Sequence, residues 1–152
     1  FGICKYDGQD FTQITTQEGL PDNNVTTLFQ DSRGDIWIGT MFGGISRFTG
    51  IEFINYTQKG MIDGVEVGGF FEDSNGDIWF AAENAGVYRY DGSSFYNYDQ
   101  KHGLISNAII SILKDSQGRF WFGGWLGLFR FDGEVFHTVT KDGPWEKSFL
   151  GQ

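Results

Sequence analysis

Short apolar runs broken by Gly, Asp and Asn organise the whole chain. In one stretch "VTTLFQD", "DIWIGT", "ISRFTG" and "EFINYT" follow one another. Each run is rich in β-branched and aromatic residues and is bounded by turn formers, the pattern of a short strand. No segment sustains the 3.6-residue apolar period long enough to predict a helix of consequence.

The pattern then repeats. "DSRGDIWIGT" begins at Asp31, "DSNGDIWFAA" at Asp73 and "DSQGRFWFGG" at Asp115. Trp37, Trp79 and Trp121 stand 42 residues apart, as do Gly34, Gly76 and Gly118. "ISRFTG", "VYRYDG" and "LFRFDG" recur downstream, with "ICKYDG" at the N-terminus as a further copy. Phe11, Phe53, Phe95 and Phe136 follow these turns, and "EGLPDN", "KGMIDG" and "HGLISN" close the units. Units of about 40–45 residues with four strands each are β-propeller blades. A small four-stranded sheet cannot bury both faces alone, so similar sheets stack and bury one another.

The fold class predicted is therefore all-β: propeller blades of four antiparallel strands on a 42-residue repeat, about three full blades plus a half blade. The expected boundaries within this partial ring are an outer half-blade over 1–20, blades over 21–62, 63–105 and 106–143, and over 144–152 a C-terminal tail or the start of the next strand. Closed propellers have about 4–8 blades. Self-association, or additional blades, is thus expected to complete the ring. The opening "FGICKYDG" reads as mid-strand, so the sequence is expected to be a processed chain or an excerpt of a longer one.

Composition narrows the function. Of the 152 residues 18% are aromatic and 23 are Gly, which suits strands and tight turns. The net charge of −9 argues against nucleic acid and anionic membrane surfaces as partners. The single Cys4 leaves no internal disulfide framework, and its strand position predicts a plain packing role. No apolar run approaches the roughly 20 residues of a membrane helix, and no targeting signal is read.

The pattern in "DSRGDIWIGTMFGGISRF" resembles the two-component regulator propeller repeat. The later copies drift, with "AAENAG" in place of "GTMFGG" and a shorter "GGWLG". The Gly-His and Trp-Asp markers of WD repeats are missing. The resemblance implies sensor portions of bacterial hybrid histidine kinases that lie in the periplasm or outside the cell and sense carbohydrate.

Candidate chemistry divides into repeated and unrepeated residues. Asp73, Asn75 and Asp77 alternate like early ligands of a calcium loop, but the later Glu is out of register and the third copy ends in Arg119. A hairpin turn is the better reading, with Asp bonding nearby amides and Gly at positive φ. Arg47, Arg89 and Arg130, with Lys5, recur before an aromatic, Arg89 and Arg130 between two, and read as structural.

Meandering strands place the second-to-third-strand loops and the blade connectors together on one face. These are the variable segments, and loops on a rigid scaffold commonly carry binding. The candidate ligand-binding residues are Phe42, Glu83, Asn84 and Trp125, with Met41 and Leu126 beside them. Asp22, Asn23, Asn24, Asp63, Glu66 and Asn107 stand nearer the axis, with Ser106. Trp125 is the sharpest, since an exposed indole stacks on a sugar or apolar ligand.

No catalytic residue, metal ligand or cofactor is predicted. His102 and His137 stand apart from any nucleophile setting and from each other. "NVT" at Asn24 and "NYT" at Asn55 fit the glycosylation sequon. The function expected is a non-enzymatic sensing or recognition module for a small ligand such as a glycan, or for a protein. The alternatives are a structural unit that oligomerises to complete a propeller and, less favoured, a lyase-like propeller enzyme.

Overall fold

The computed structural model describes residues 1–144. It divides into two compact units, 1–68 and 69–152. The predicted tail or strand start over 144–152 lies, apart from Pro144, outside the described residues.

Unit 1 opens with β1 (Ile3–Tyr6) and β2 (Phe11–Ile14), an antiparallel pair in which Lys5 faces Thr12. A four-stranded sheet follows in the order β3 (Val25–Gln30), β4 (Ile36–Thr40), β5 (Ile45–Phe48) and β6 (Phe53–Asn55). Trp37, Ile38 and Ile45 are fully buried, with Leu20, Tyr56 and Ile62 nearly so. Trp37 stacks on Tyr56 at 5.7 Å.

In unit 2 two further sheets run up and down. The first holds β7 (Val67–Glu72), whose first two residues belong to unit 1, then β8 (Ile78–Ala82), β9 (Gly86–Tyr90) and β10 (Phe95–Tyr98). The second holds β11 (Ile109–Lys114), β12 (Phe120–Gly124), β13 (Gly127–Phe131) and β14 (Phe136–Thr138). Their facing sides share one core, in which Trp79, Val87 and Leu104 meet Ile109, Phe122, Phe129 and Phe136. These are the alternating strand positions, so register decides which ring is buried.

Among the described residues the strands fall where the apolar runs predict them: three four-stranded antiparallel sheets of the propeller-blade kind and one two-stranded sheet. Three departures stand out. A bulge interrupts the first strand of a blade at Thr26 and again at Ile110, the same repeat position. A 3-10 turn, Gln100–His102, is closed by a capping box between Asp99 and His102. Cys4 is exposed on β1 and has no packing role there.

The repeated acidic turns are built by their first Asp. Asp31 Oδ1 accepts from the Arg33 and Asp35 amides, at 3.0 Å each, while Oδ2 accepts from Trp37 Nε1 at 2.9 Å. Asp73 does the same with Asn75, Asp77 and Trp79. Asp115 repeats it with Gln117, Arg119 and Trp121. Gly34, Gly76 and Gly118 take φ of 92°, 82° and 80°, which a Cβ resists. One carboxylate thus closes the turn and satisfies a tryptophan N–H.

Candidate functional site

The repeated arginines hold the sheets. Arg47 lies 5.5 Å over Trp37 and 3.6 Å from Asp35. Arg89 lies 5.8 Å over Trp79, 4.7 Å over Tyr96 and 3.8 Å from Asp77. Tyr88 and Tyr90 are buried on the opposite side of β9, as strand alternation requires. Burial raises the Asp77 carboxyl above its usual range, the nearby Asp73 and Asp91 add to this, and Arg89 opposes it.

Unit 1 gathers its predicted site residues by backbone bonds. The Met41 amide donates to the Asn24 carbonyl at 2.9 Å. The Gly44 amide donates to the Val65 carbonyl at 2.8 Å. Loop 41–44 therefore touches both connectors, the one carrying Asp22, Asn23 and Asn24 and the one carrying Asp63 and Glu66. A Cβ at Gly43 would lie 2.6 Å from the Pro21 backbone, so only glycine permits this approach. Phe42 is 64% exposed at the tip. Asp22 Oδ1 accepts from the Asn24 amide and Asn23 Oδ1 from the Thr16 amide, so both carboxamide and carboxylate shape the connector.

Unit 2 gathers its own set. Asn107 Nδ2 donates to the Asn84 carbonyl at 3.3 Å, and the Trp125 amide donates to the Ala108 carbonyl at 3.1 Å. Loop 83–85, connector 104–108 and loop 125–126 thus meet. Asn84 has φ 62°, the one non-glycine at positive φ among the described residues. Trp125 is 80% exposed. Asn107 Oδ1 is buried without a hydrogen-bond partner. Glu83, next to Asn84 in the chain, is exposed.

The remaining sequence candidates are tied into turns. His102 Nδ1 sits 3.0 Å from Asp99 Oδ1, and His137 Nε2 sits 2.6 Å from Asp132 Oδ2. Of the two sequon residues, Asn24 is exposed, while Asn55 is half-buried and accepts from the Gln58 amide. Among the described residues no group of three His, Cys, Asp or Glu could hold a metal ion. No helix among them is long and apolar enough to cross a membrane. Sequence reasoning missed the Asp-to-Trp bonds. Their signal was the fixed six-residue offset from Asp31, Asp73 and Asp115 to the tryptophans.

Up-and-down four-stranded sheets with conserved-pattern turns at one end and irregular loops at the other define a segment of β-propeller blades. Residues 19–42 and 103–126 match the model of the family described as "Two component regulator propeller". Among solved structures it is similar to the extracellular domain of the hybrid two-component system BT3049 from B. thetaiotaomicron. That match has 30% identity and a TM-score of 0.73 over 91% of this chain and 19% of the other. The extracellular domain of the B. thetaiotaomicron system BT4673 matches with 21% identity and a TM-score of 0.74, over 90% of this chain and 21% of that one. A streptogramin B lyase shares the fold at 23% identity and a TM-score of 0.63, over 88% of this chain and 45% of the lyase. No curated protein matches. The chain spans about a fifth of the length of the two-component extracellular domains. It is similar to a segment of those propellers.

Proposed function

We propose that this chain is a non-enzymatic recognition segment of an extracellular or periplasmic sensor, and that its irregular loops bind a small carbohydrate-type ligand. The observation that carries the reading is in unit 2, where the exposed Trp125 adjoins a connector whose Asn107 Oδ1 is buried and has no hydrogen-bond partner. A flat indole face beside an unspent amide acceptor suits a sugar ring, which offers apolar C–H surface and hydroxyl donors. The similarity to extracellular domains of two-component systems supports the sensing role and the location.

Replacing Trp125 by Ala and titrating a glycan panel by calorimetry tests this. At least one glycan binds the unaltered chain, and that glycan is lost or weakened by about tenfold in the variant. Equal binding by both forms, or no binding by the unaltered chain, overturns the reading. Capture of a protein instead of a glycan would leave the surface but replace the ligand class.

A second reading, a structural unit that completes a larger propeller with further blades or copies, is favoured by a different observation. Ile110, Leu113 and Leu128 on the last described sheet are 64%, 62% and 39% exposed. Apolar strand positions left open in this way are normally covered by a neighbouring sheet. The lyase-like reading has the fold alone in its favour, and both histidines are already engaged by turn carboxylates.

A further inference from the structure

Within unit 2 a cleft of about 230 Å³ lies between the two sheets. It opens at their turn end, away from loops 83–85 and 125–126. Its walls are the rings of Trp79, Phe120 and Phe131, packed at 5.6 Å and 5.4 Å from the tryptophan. Four cations line it as well, Arg89, Lys114, Arg119 and Arg130.

Arg119 bonds Asp115 and Arg130 bonds the Pro144 carbonyl, whereas Arg89 and Lys114 lack hydrogen-bonding partners. Arg89 Nε is buried with none, and the carboxylate nearest to it, on Asp77, stands at 3.8 Å. Lys114 makes no hydrogen bond or ion pair among the described residues, and its Nζ rests 5.4 Å over the Phe120 ring. The two acids that line the cleft are already engaged. Asp73 accepts from two amides and from Trp79, and Asp132 accepts from two amides and faces His137. Lys114 therefore carries a charge that no carboxylate meets, and Arg89 an Nε that no acceptor bonds, against an aromatic wall.

The lysine is also peculiar to this blade. Gln30 and Glu72 occupy its position in the two preceding repeats. Blade-building residues recur from copy to copy, whereas Lys114 breaks the repeat where it adds a cation to a cavity.

We propose that this cleft binds a small carboxylate carrying a flat apolar body. A planar guanidinium recognises a carboxylate through paired N–H donors, and the ammonium adds a point charge. The rings accept the apolar part by stacking. The volume lies below the ~300–1,000 Å³ of drug-sized pockets, which limits the ligand to about one small ring. The chain's net charge of −9 repels anions at long range, so affinity comes from the local pair and falls with added salt.

The test uses the whole chain and benzoate as the probe, with benzyl alcohol as the uncharged control, followed by amide chemical shifts at low ionic strength. Benzoate is expected to saturate shifts around Trp79, Lys114 and Phe120, and benzyl alcohol to bind about tenfold more weakly or not at all. Lys114→Glu places the second repeat's residue in the third and abolishes benzoate binding. Lys114→Gln, the first repeat's residue, weakens it, and melting temperatures confirm that both variants fold. Trp125→Ala leaves it unchanged. The proposal is overturned if benzoate fails to saturate, if benzyl alcohol binds equally, if the shifts cluster elsewhere, or if the folded lysine variants bind like the unaltered chain.

Discussion

Replacing Asp73 by Ala should lower the stability of unit 2 by about 2–4 kcal/mol. Two effects add. Trp79 is 3% exposed and its Nε1 has Asp73 Oδ2 as acceptor at 2.9 Å. Without that oxygen a buried N–H is left unpaired, which costs about 1–3 kcal/mol. The Asn75 and Asp77 amides also lose their acceptor, Oδ1. Asn75 is exposed and Asp77 half-buried, so water replaces much of what is lost and the two bonds together cost about 1 kcal/mol. At about 2–4 °C per kcal/mol for a chain of this size, the midpoint falls by roughly 4–16 °C. Thermal unfolding followed by tryptophan fluorescence reads this directly. Asp73→Asn keeps an oxygen for the amides but presents an NH₂ to the indole, so it should recover the smaller part only. Ser74→Ala, in the same turn and exposed, should change stability by less than about 0.5 kcal/mol. The reasoning fails if Asp73→Ala melts with the unaltered chain, or if Ser74→Ala falls as far.

Acid should weaken the chain partly through Asp132. Burial pushes its carboxyl up, but the Val135 and Glu134 amides and His137 outweigh this and hold it at about 2. Its folded pKa is below the unfolded one, so its stabilisation is present above about pH 4 and is lost as pH falls towards 2. Asp132→Asn should cost about 1–2 kcal/mol at pH 7, after allowance for partial exposure, and the difference should vanish near pH 2 in urea titrations. If the chain completes its sheets with copies of itself, light scattering should give a mass that rises with concentration. A constant monomer mass of 17.1 kDa up to hundreds of micromolar would refute that part of the second reading.

The strands were legible because each is a short alternating run between turn residues, and because three copies exposed the period. Trp37, Trp79 and Trp121 could be aligned by eye, and the grouping of each loop with its connector follows from up-and-down topology alone. What could not be read was anything that depends on where a side chain points after a turn. Asp31 and Trp37 meet because Gly34 takes positive φ and folds the hairpin back, and nothing in the residue names states this. The bulges at Thr26 and Ile110 shift the register within a run that looks continuous. The exposure of Cys4 depends on which face of β1 it occupies, and alternation alone does not say which face is covered.

Repetition is a sound guide to structural residues only when a residue and its partner are followed together. Arg47 and Arg89 each stand near a carboxylate, Asp35 and Asp77. Arg130 occupies the same position, but Arg119 replaces the aspartate in its repeat. Arg119 turns to Asp115 at 2.6 Å and lies 5.1 Å over Trp121. Burial pushes the Asp115 carboxyl up, but the bonds it accepts from Trp121, Arg119 and Gln117 prevail and hold it well below the usual carboxylate range. Arg130 is left 2% exposed, with a 3.4 Å bond to the Pro144 carbonyl. A guanidinium can be buried without a carboxylate when a backbone oxygen takes its place, but the margin is smaller. The arginine looks invariant across the copies while its electrostatic setting has changed. The same logic picks out Lys114, whose two counterparts are neutral or acidic: the informative positions are those where one member of a repeated pair departs and the other stays.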